Sequence, residues 1–174
     1  VVAAIREEAE IARAGRKGRI IVKVNALLEP ETIEARYEAS QAGVEIDVIA
    51  RSVCALKPGV PGLSENIRVR SVVGRFLEHH RIFYLHADGA DKLYLSSADW
   101  MERNFFKRIE VAFPILDPKV KRRVMKEGLR PYLGDNCQAW ELEGDNHYRR
   151  KNPRTTRRAA QEILLKELTG VITP

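Results

Sequence analysis

Two adjacent histidines and an arginine lie together near the middle of the chain, in the run Leu-Glu-His-His-Arg over residues 77–81. Because an imidazole titrates near neutral pH, His79 could attack a phosphorus atom or protonate a departing oxygen. The guanidinium of Arg81, two residues further on, would lie on the same face of a strand and hold phosphate oxygens beside it. This spacing indicates phosphoryl chemistry. The alternative is that His79 and His80 are ordinary hydrogen-bonded histidines at a strand edge.

Two further cations, Arg51 and Lys57, precede a pair of Pro-Gly turns at residues 58–59 and 61–62. Arg51 directly follows a predicted strand, and ligands of open α/β sheets gather at the carboxyl ends of strands. A guanidinium at that place offers a planar fork that matches a phosphate group. Arg51 is therefore a candidate phosphate ligand, with a solvated arginine at a loop entrance as the alternative.

Ser97 and Asp99 end another predicted strand with side chains that can donate or orient hydrogen bonds. The order His-x-Arg, a hairpin, then Ser-x-Asp resembles the His-x-Lys and Ser-x-Asn signature of the phospholipase D superfamily. The chain departs from that signature in three places. Arg81 replaces lysine, His86 stands where the signature has aspartate, and Asp99 replaces asparagine.

A basic run near the C-terminus holds five arginines and one lysine between residues 149 and 158. The whole chain has 30 Lys and Arg against 24 Asp and Glu, a formal charge of +6. An excess of this sign favours polyanionic partners such as nucleotides, polyphosphate or nucleic acid. The run could line a channel for a polyanion, or it could be a solvated connector.

These side chains depend on a scaffold of alternating strands and helices. A β-branched run at residues 19–25, a helix opening at Pro30 and a strand at residues 44–50 predict a strand–helix–strand unit with parallel neighbours. Strands at residues 81–87 and 92–96 flank Asp-Gly-Ala-Asp, which predicts a hairpin. Further strands are predicted at residues 67–73, 108–115 and 138–143, and further helices at residues 1–14, 117–133 and 156–168.

Length and composition limit the class of protein. The 174 residues suit one domain with a real core, and 44% of them are apolar, which is ordinary for a globular protein. No apolar run approaches the roughly 20 residues of a membrane span, and the N-terminus lacks the pattern of a secretory signal. A start at Val1 instead of methionine suggests a fragment. Cys54 and Cys137 match no metal or redox spacing, so we expect reduced thiols in a cytoplasmic protein.

Several long blocks of this sequence are similar to the type 1 polyphosphate kinase family. They are Ala-Ser-Gln-Ala-Gly-Val-Glu-Ile-Asp at residues 39–47, Arg-x-x-Cys-x-Leu-Lys-Pro-Gly at residues 51–59, the stretch from Gly-Leu-Ser-Glu-Asn to Phe-Leu-Glu-His at residues 62–79, and Tyr-Leu-Ser-Ser-Ala-Asp-Trp-Met-x-Arg-Asn at residues 94–104. The resemblance is close from the N-terminus to about residue 118 and looser to the basic run. Long ordered blocks are a stronger signal than a lone short motif.

The resemblance implies an α/β, phospholipase-D-like domain with a mixed central sheet flanked by helices. Residues 1–174 would be the single C-terminal domain of the catalytic core, with the basic run and final helix from about residue 147 as an appendage. The enzyme would reversibly move the terminal phosphate of ATP onto polyphosphate, through a phosphohistidine formed on a half that is missing here. The resemblance implies that the chain's partners are the remaining domains of the same enzyme and, in the full-length protein, other copies of it in a homo-oligomer. Nucleic acid is not expected as a partner. The implied location is cytoplasmic, with membrane association of the full-length enzyme as an alternative.

The resemblance also assigns roles. His79 matches the catalytic histidine of the second half, and Arg51 matches the arginine that contacts the nucleotide. Lys57, Arg81 and Ser97 are secondary candidates for phosphate contacts. No metal ligand is expected in this chain, because the residues associated with Mg²⁺ belong to the missing half; ATP and ADP would be substrates. The chain departs from the family at Ser52, commonly glycine, at Lys57, commonly arginine, and at His80 beside the motif histidine.

Two other functions remain open at this point. One is a phospholipase-D-like phosphodiesterase, in which two copies of the chain each supply one histidine. The other is a basic module that binds RNA or polyphosphate through residues 149–158. The length of the matching blocks favours the kinase.

Overall fold

The computed structural model describes residues 1–153 and 156–170. In this part of the chain one mixed sheet of eight strands has the order β6-β5-β4-β1-β2-β3-β7-β8. The strands are β1 Arg19–Val24, β2 Glu45–Ala50, β3 Ile67–Val72, β4 Arg81–Leu85, β5 Lys92–Ser96, β6 Ala112–Pro114, β7 Ala139–Leu142 and β8 Tyr148–Arg150. The helices are α1 Val2–Arg13, α2 Pro30–Gln41, α3 Glu102–Phe106, α4 Pro118–Val124, α5 Arg130–Leu133 and α6 Ala160–Thr169, with a 3₁₀ turn at Ala87–Gly89 and a π turn at Met125–Leu129. A mixed central sheet with flanking helices confirms the predicted fold class.

The centre of the sheet is the parallel trio β1, β2 and β3. Its strands are buried on both faces, as β-branched runs of this kind require. One face packs against α1 and α2, with Ile5 and Ala35 in the same apolar cluster as Val22 and Val48. The other face packs against the C-terminal helical segments. That second cluster contains Ile21, Ile49, Leu129, Tyr132 and Ala160.

Local signals fix where the helices begin. The Glu29 side chain accepts hydrogen bonds from the Glu31 and Thr32 amides, with Pro30 in the first turn of α2. Asp117 caps α4 in the same way, ahead of Pro118. These are the expected uses of an acceptor at the N-cap and a proline just inside a helix, and they confirm the predicted starts of both helices.

The helix predicted at residues 117–133 has the expected bounds, but it contains a π turn where Gly128 packs against Ile82, so closely that a Cβ atom would overlap the isoleucine side chain. Other predicted boundaries were wrong. The strand predicted at residues 108–115 is only β6, while α3 and β8 had not been predicted. The last helix begins at Ala160, with residues 156–159 non-helical; positions 154 and 155 lie outside the described residues.

The C-terminal stretch contributes to the sheet and to its helical layer. β8 extends the sheet by pairing with β7, and α6 packs beside α5 with Ala160 fully buried. In residues 1–153 and 156–170, no helix combines the length and the apolar character needed to cross a membrane. Cys54 and Cys137 are free thiols.

Candidate functional site

The candidate site lies at the edge of the sheet where β1 and β2 end. Asn25 follows β1, and Arg51 follows β2. Because β4 runs antiparallel to β1, with Lys23 opposite Ile82, the beginning of β4 lies at the same edge. The topology therefore brings residues 78–81 next to Arg51, at the carboxyl ends of parallel strands where α/β proteins bind ligands.

Arg51 is half-buried and fixed by its neighbours. Its Nε and Nη2 donate to Asn25 Oδ1 at 3.1 Å and 2.7 Å. Its Nη1 donates to the main-chain carbonyl of Glu78. Arg51 thus holds the residue that precedes His79, and it connects the end of β1 to this segment.

Arg81 is held by a carboxylate. Its Nε and Nη2 donate to the two oxygens of Asp99 at 3.1 Å and 2.8 Å, and its Nη1 donates to the carbonyl of His79. Asp99 also accepts from the amides of Asn25 and Ala26 at 2.8 Å and 3.2 Å. Burial opposes ionisation of Asp99, but the Arg81 guanidinium and these amides hold the pKa of the carboxyl below its usual range.

His79 has its main chain fixed and its ring exposed. The carbonyl of Glu78 accepts from Arg51 and that of His79 from Arg81, so two guanidinium groups hold consecutive peptide units. The expectation that His79 and Arg81 share a strand face was wrong. The strand β4 begins at Arg81, so His79 precedes it, and the two residues are connected through the main chain.

A buried ion pair lies beneath this segment. The Lys23 ammonium donates to Glu78 Oε2 at 2.6 Å, and the two side chains are only 6% and 14% exposed. Glu78 Oε1 accepts from the Tyr132 hydroxyl at 2.6 Å. Lys23 Nζ is also 2.6 Å from His80 Nε2 and 2.9 Å from the centre of the Tyr132 ring. A charge as buried as that of Lys23 requires such partners.

The charges in this cluster influence one another strongly. Burial lowers the pKa of Lys23 to about 7, although the attraction of Glu78 raises it. Burial opposes the ionised form of Glu78, but Lys23 holds the pKa of that carboxyl below its usual range. Burial and the Lys23 charge lower the pKa of His80 to about 4. The His80 ring is therefore neutral near pH 7, with Nε2 accepting from Lys23.

Gln161 of α6 binds the same segment from the other side. Its side-chain oxygen accepts from the Phe76 amide at 2.8 Å, while its Nε2 donates to the Phe76 carbonyl at 2.9 Å and to Glu78 Oε1 at 2.7 Å. Gly74 lies against this side chain, and a Cβ atom there would overlap the Gln161 amide. The C-terminal helix therefore contacts the segment that carries His79.

The remaining candidates, Ser97, Lys57 and His86, make contacts with other residues. Ser97 follows β5, whose last residue is opposite Arg81, but its hydroxyl donates to Glu110. Lys57 is exposed, and its amide donates to the Tyr37 hydroxyl at 2.9 Å. His86 is at the opposite edge of the sheet, where its Nδ1 is 3.2 Å from Asp91.

The described part of the basic run consists largely of paired cations. Arg149 contacts Glu143 and Asp145. Lys151 lies 2.7 Å from Glu141, and Arg157 lies 3.0 Å from Glu162. Arg150 donates to the carbonyl of Cys137. Residues 154 and 155 of the run lie outside the described residues.

The residues around His79 favour an anion over a metal ion. The two carboxylates at this edge are already paired, Glu78 with Lys23 and Asp99 with Arg81, whereas Mg²⁺ needs several oxygen ligands in octahedral geometry. Within the described residues, no group of three or more His, Cys, Asp or Glu side chains could hold a metal ion.

Sequence reasoning missed four residues of the site: Lys23, Glu78, Asp99 as a partner of Arg81, and Gln161. Lys23 left a signal, because a lysine inside Ile-Ile-Val-Lys-Val must be buried if that run is a central strand. Gln161 left none, since it meets Phe76 from 85 positions away.

Comparison with known proteins gives consistent matches along the chain. The model of "Polyphosphate kinase C-terminal domain 2" matches residues 1–161. Polyphosphate kinases of Burkholderia multivorans and Burkholderia ambifaria are each 64% identical over 165 residues, which cover 95% of this chain and 24% of each relative. The chain thus spans about a quarter of the length of these curated relatives.

Two solved structures have a similar fold. The polyphosphate kinase of Porphyromonas gingivalis superposes with a TM-score of 0.90 at 38% identity, over 97% of this chain and 26% of that one. Nuc, a phospholipase D family member of Salmonella typhimurium, superposes with a TM-score of 0.53 at 14% identity, over 79% of this chain and 90% of that one. The second match concerns the fold alone.

Proposed function

The chain belongs to the polyphosphate kinase family, and on this premise we propose that it is the C-terminal domain of a catalytic core that transfers phosphate between ATP and polyphosphate. In this proposal His79 is the catalytic residue of the domain and Arg51 binds the phosphates. One arrangement supports it above all: the main chain at Glu78 and His79 is held by two guanidinium groups while the His79 ring is exposed.

The reaction would proceed by two displacements. A histidine in a part of the enzyme outside this chain would attack the γ-phosphorus of ATP, breaking the bond to the bridging oxygen and releasing ADP. An oxygen at the end of the polyphosphate chain would then attack the same phosphorus and break the phosphorus–nitrogen bond. His79 would donate a proton to the departing oxygen or, as the imidazolium, offset the charge that develops there.

Arg51 has donors left for a phosphate group. A guanidinium carries five N–H groups, and three of those of Arg51 are engaged by Asn25 and the Glu78 carbonyl. The other two can reach phosphate oxygens without breaking these bonds. Arg81 would act mainly on the position of His79, because its guanidinium is paired with Asp99. Lys57 and Ser97 would make further phosphate contacts.

The rest of the assignment follows from the family. We propose that residues 1–174 form one domain, and that the phosphorylated histidine and the Mg²⁺ ligands lie in other domains of the same enzyme. Mg²⁺, when bound there, would neutralise charge on the phosphates of ATP. A homo-oligomer, a cytoplasmic location, and ATP and polyphosphate as partners without nucleic acid complete the proposal.

Replacement of His79 by alanine in a full-length polyphosphate kinase containing this domain tests the proposal. Removal of a well-placed catalytic group typically costs about a hundredfold or more in rate, so synthesis of polyphosphate from ATP should fall by about that factor. His147→Ala is a matched control, because that ring is 78% exposed in the β7–β8 turn. Near-normal synthesis by the His79→Ala enzyme would exclude His79 from the mechanism.

A second test uses the chain alone. Residues 1–174 should make no polyphosphate from ATP, because the nucleophile lies elsewhere in the enzyme. Robust synthesis by this chain would mean that the nucleophile has been misplaced.

A further inference from the structure

We propose that Gln161 is a positioning residue for His79, and that the C-terminal helix α6 thereby sets the rate of phosphate transfer. The inference rests on the proposed role of His79 and extends it to a helix on the other side of the segment. Gln161 would touch no substrate, and would act by fixing the main chain from Phe76 to His79.

The side-chain amide of Gln161 hydrogen-bonds to the main chain of Phe76 as a neighbouring β-strand would. Its amide group accepts from the Phe76 N–H and donates to the Phe76 carbonyl, at 2.8 Å and 2.9 Å. Only 6% of the residue is exposed. The absence of a side chain at Gly74 allows this close approach. A two-sided bond to one residue fixes both the place and the direction of the chain at Phe76.

Few other contacts fix the conformation of residues 73–80. Residues 73–80 form no helix or strand, and Val73, Arg75, Phe76 and Leu77 are all exposed. Among the described residues its attachments between the end of β3 and the beginning of β4 include Gln161 at Phe76, the Glu78 carboxylate in its buried cluster, the contact of His80 with Lys23, and the two guanidinium groups.

Gln161 also connects two of these attachments. Its Nε2 donates to Glu78 Oε1 at 2.7 Å, beside the Tyr132 hydroxyl, which donates to the same oxygen at 2.6 Å. The amide thus binds the Phe76 main chain and the carboxylate of Glu78, whose own carbonyl is bound by Arg51. Loss of the amide frees the chain just before His79. A displacement of about 1 Å at a reacting group can cost about a hundredfold in rate.

The test is Gln161→Ala in a full-length polyphosphate kinase that contains this domain, with Glu162→Ala as the control. Glu162 is the next residue of α6, and its carboxylate is exposed and paired with Arg157. We expect Gln161→Ala to lower kcat by at least about tenfold, with KM for ATP close to that of the parent and no unfolding at the assay temperature by circular dichroism. Glu162→Ala should leave kcat unchanged.

The expected signature differs from that of a merely structural residue. A loss in kcat for Gln161→Ala smaller than about tenfold, a loss carried by KM alone, or a loss matched by the fraction of unfolded enzyme would overturn the proposal. If Gln161→Ala does not fold, Gly74→Ala is measured under the same criteria, because its methyl group displaces the Gln161 amide and leaves α6 intact. The His79→Ala variant distinguishes a failure of the proposed function from a failure of the positioning role. Full activity in that variant overturns the proposed function, whereas an inactive His79→Ala with a normal Gln161→Ala overturns the positioning role alone.

Discussion

Glutamine at position 78 would keep the size of the side chain and remove the negative charge that faces Lys23. In the parent protein the attraction of Glu78 raises the pKa of Lys23, which burial lowers to about 7. Without that attraction the pKa of the lysine falls further. Below pH 7 the parent keeps a buried ammonium, whereas the Glu78→Gln protein folds with a neutral lysine.

The size of the effect follows from the protons released on folding. In the unfolded chain Lys23 is protonated at any pH well below 10.5, its ordinary pKa. When the folded lysine is neutral, each unit of decrease in pH reduces the free energy of unfolding by about 1.4 kcal/mol. The parent has no such slope from Lys23 below pH 7. On going from pH 8 or above to pH 6, the free energy of unfolding of the Glu78→Gln protein should therefore fall by about 1.4 kcal/mol more than that of the parent. On going to pH 5.5 the additional loss should be about 2 kcal/mol.

Urea unfolding between pH 5.5 and 8.5 measures this difference, with the fluorescence of the buried Trp100 as the signal. His80 has a pKa of about 4 in the folded protein against an ordinary value of 6.5, so it lowers stability below about pH 6.5 in the parent as well, and the quantity to compare is the difference between the two proteins at each pH. Tyr132 does not titrate in this range, because burial and Glu78 raise its pKa. Glu162→Gln removes an exposed carboxylate and should give a pH dependence parallel to that of the parent. The double variant Lys23→Met with Glu78→Gln should lose the additional slope.

A difference between Glu78→Gln and the parent that stays constant from pH 5.5 to 8.5 would refute this reasoning. It would mean that the lysine has the same charge in both proteins, and that Glu78 does not determine the protonation of Lys23 in this pH range.

Three further outcomes follow from buried contacts, each measured by urea or thermal unfolding. Asp99→Ala leaves Arg81 and the amides of Asn25 and Ala26 without their acceptor, so it should lower the free energy of unfolding by about 3–5 kcal/mol. Asp99→Asn should lower it clearly less. Equal losses in the two variants would contradict the role of charge. Gly128→Ala places a methyl group against the buried Ile82 and should cost about 1–3 kcal/mol, with partial recovery in the double variant that also carries Ile82→Val. Arg36→Met should keep or raise stability, because the buried guanidinium has two nitrogens without a hydrogen-bond partner among the described residues; a loss above about 1 kcal/mol would mean that its stacking on Trp100 outweighs that deficit.

The parts of the fold that could be predicted from the sequence are those determined by residues close together in the chain. The helices α2 and α4 begin at an acid followed by proline, and α2 ends before Gly43, whose φ of 95° suits glycine. The central strands β1 and β2 are rich in β-branched residues that a sheet covered on both faces can bury. Short elements failed, because α3 and β8 have five and three residues and depend on what they pack against.

The site residues likewise divide into those that could be predicted from the sequence and those that could not. Arg51 could be found because it follows a strand, and His79 because a cation is nearby and the surrounding block resembles a known family. The arrangement of Arg81 could not, because its pairing depends on Asp99, whose amide contacts come from the end of β1, 74 residues earlier in the chain. A pattern of residue types contains no information about which of two nearby anions or carbonyls a guanidinium will choose.

The bond between Gln161 and Phe76 also has a consequence for synthesis of the protein, because 85 positions separate the two residues. A ribosome exposes His79 and the three central strands long before it has made α6. We expect a nascent or truncated chain that ends before residue 160 to collapse around β1, β2 and β3, with Phe76 lacking the hydrogen bonds of Gln161. The domain would acquire the bond that fixes Phe76 only once α6 has been made, so on the proposed function chains that terminate before α6 would be partly folded and inactive.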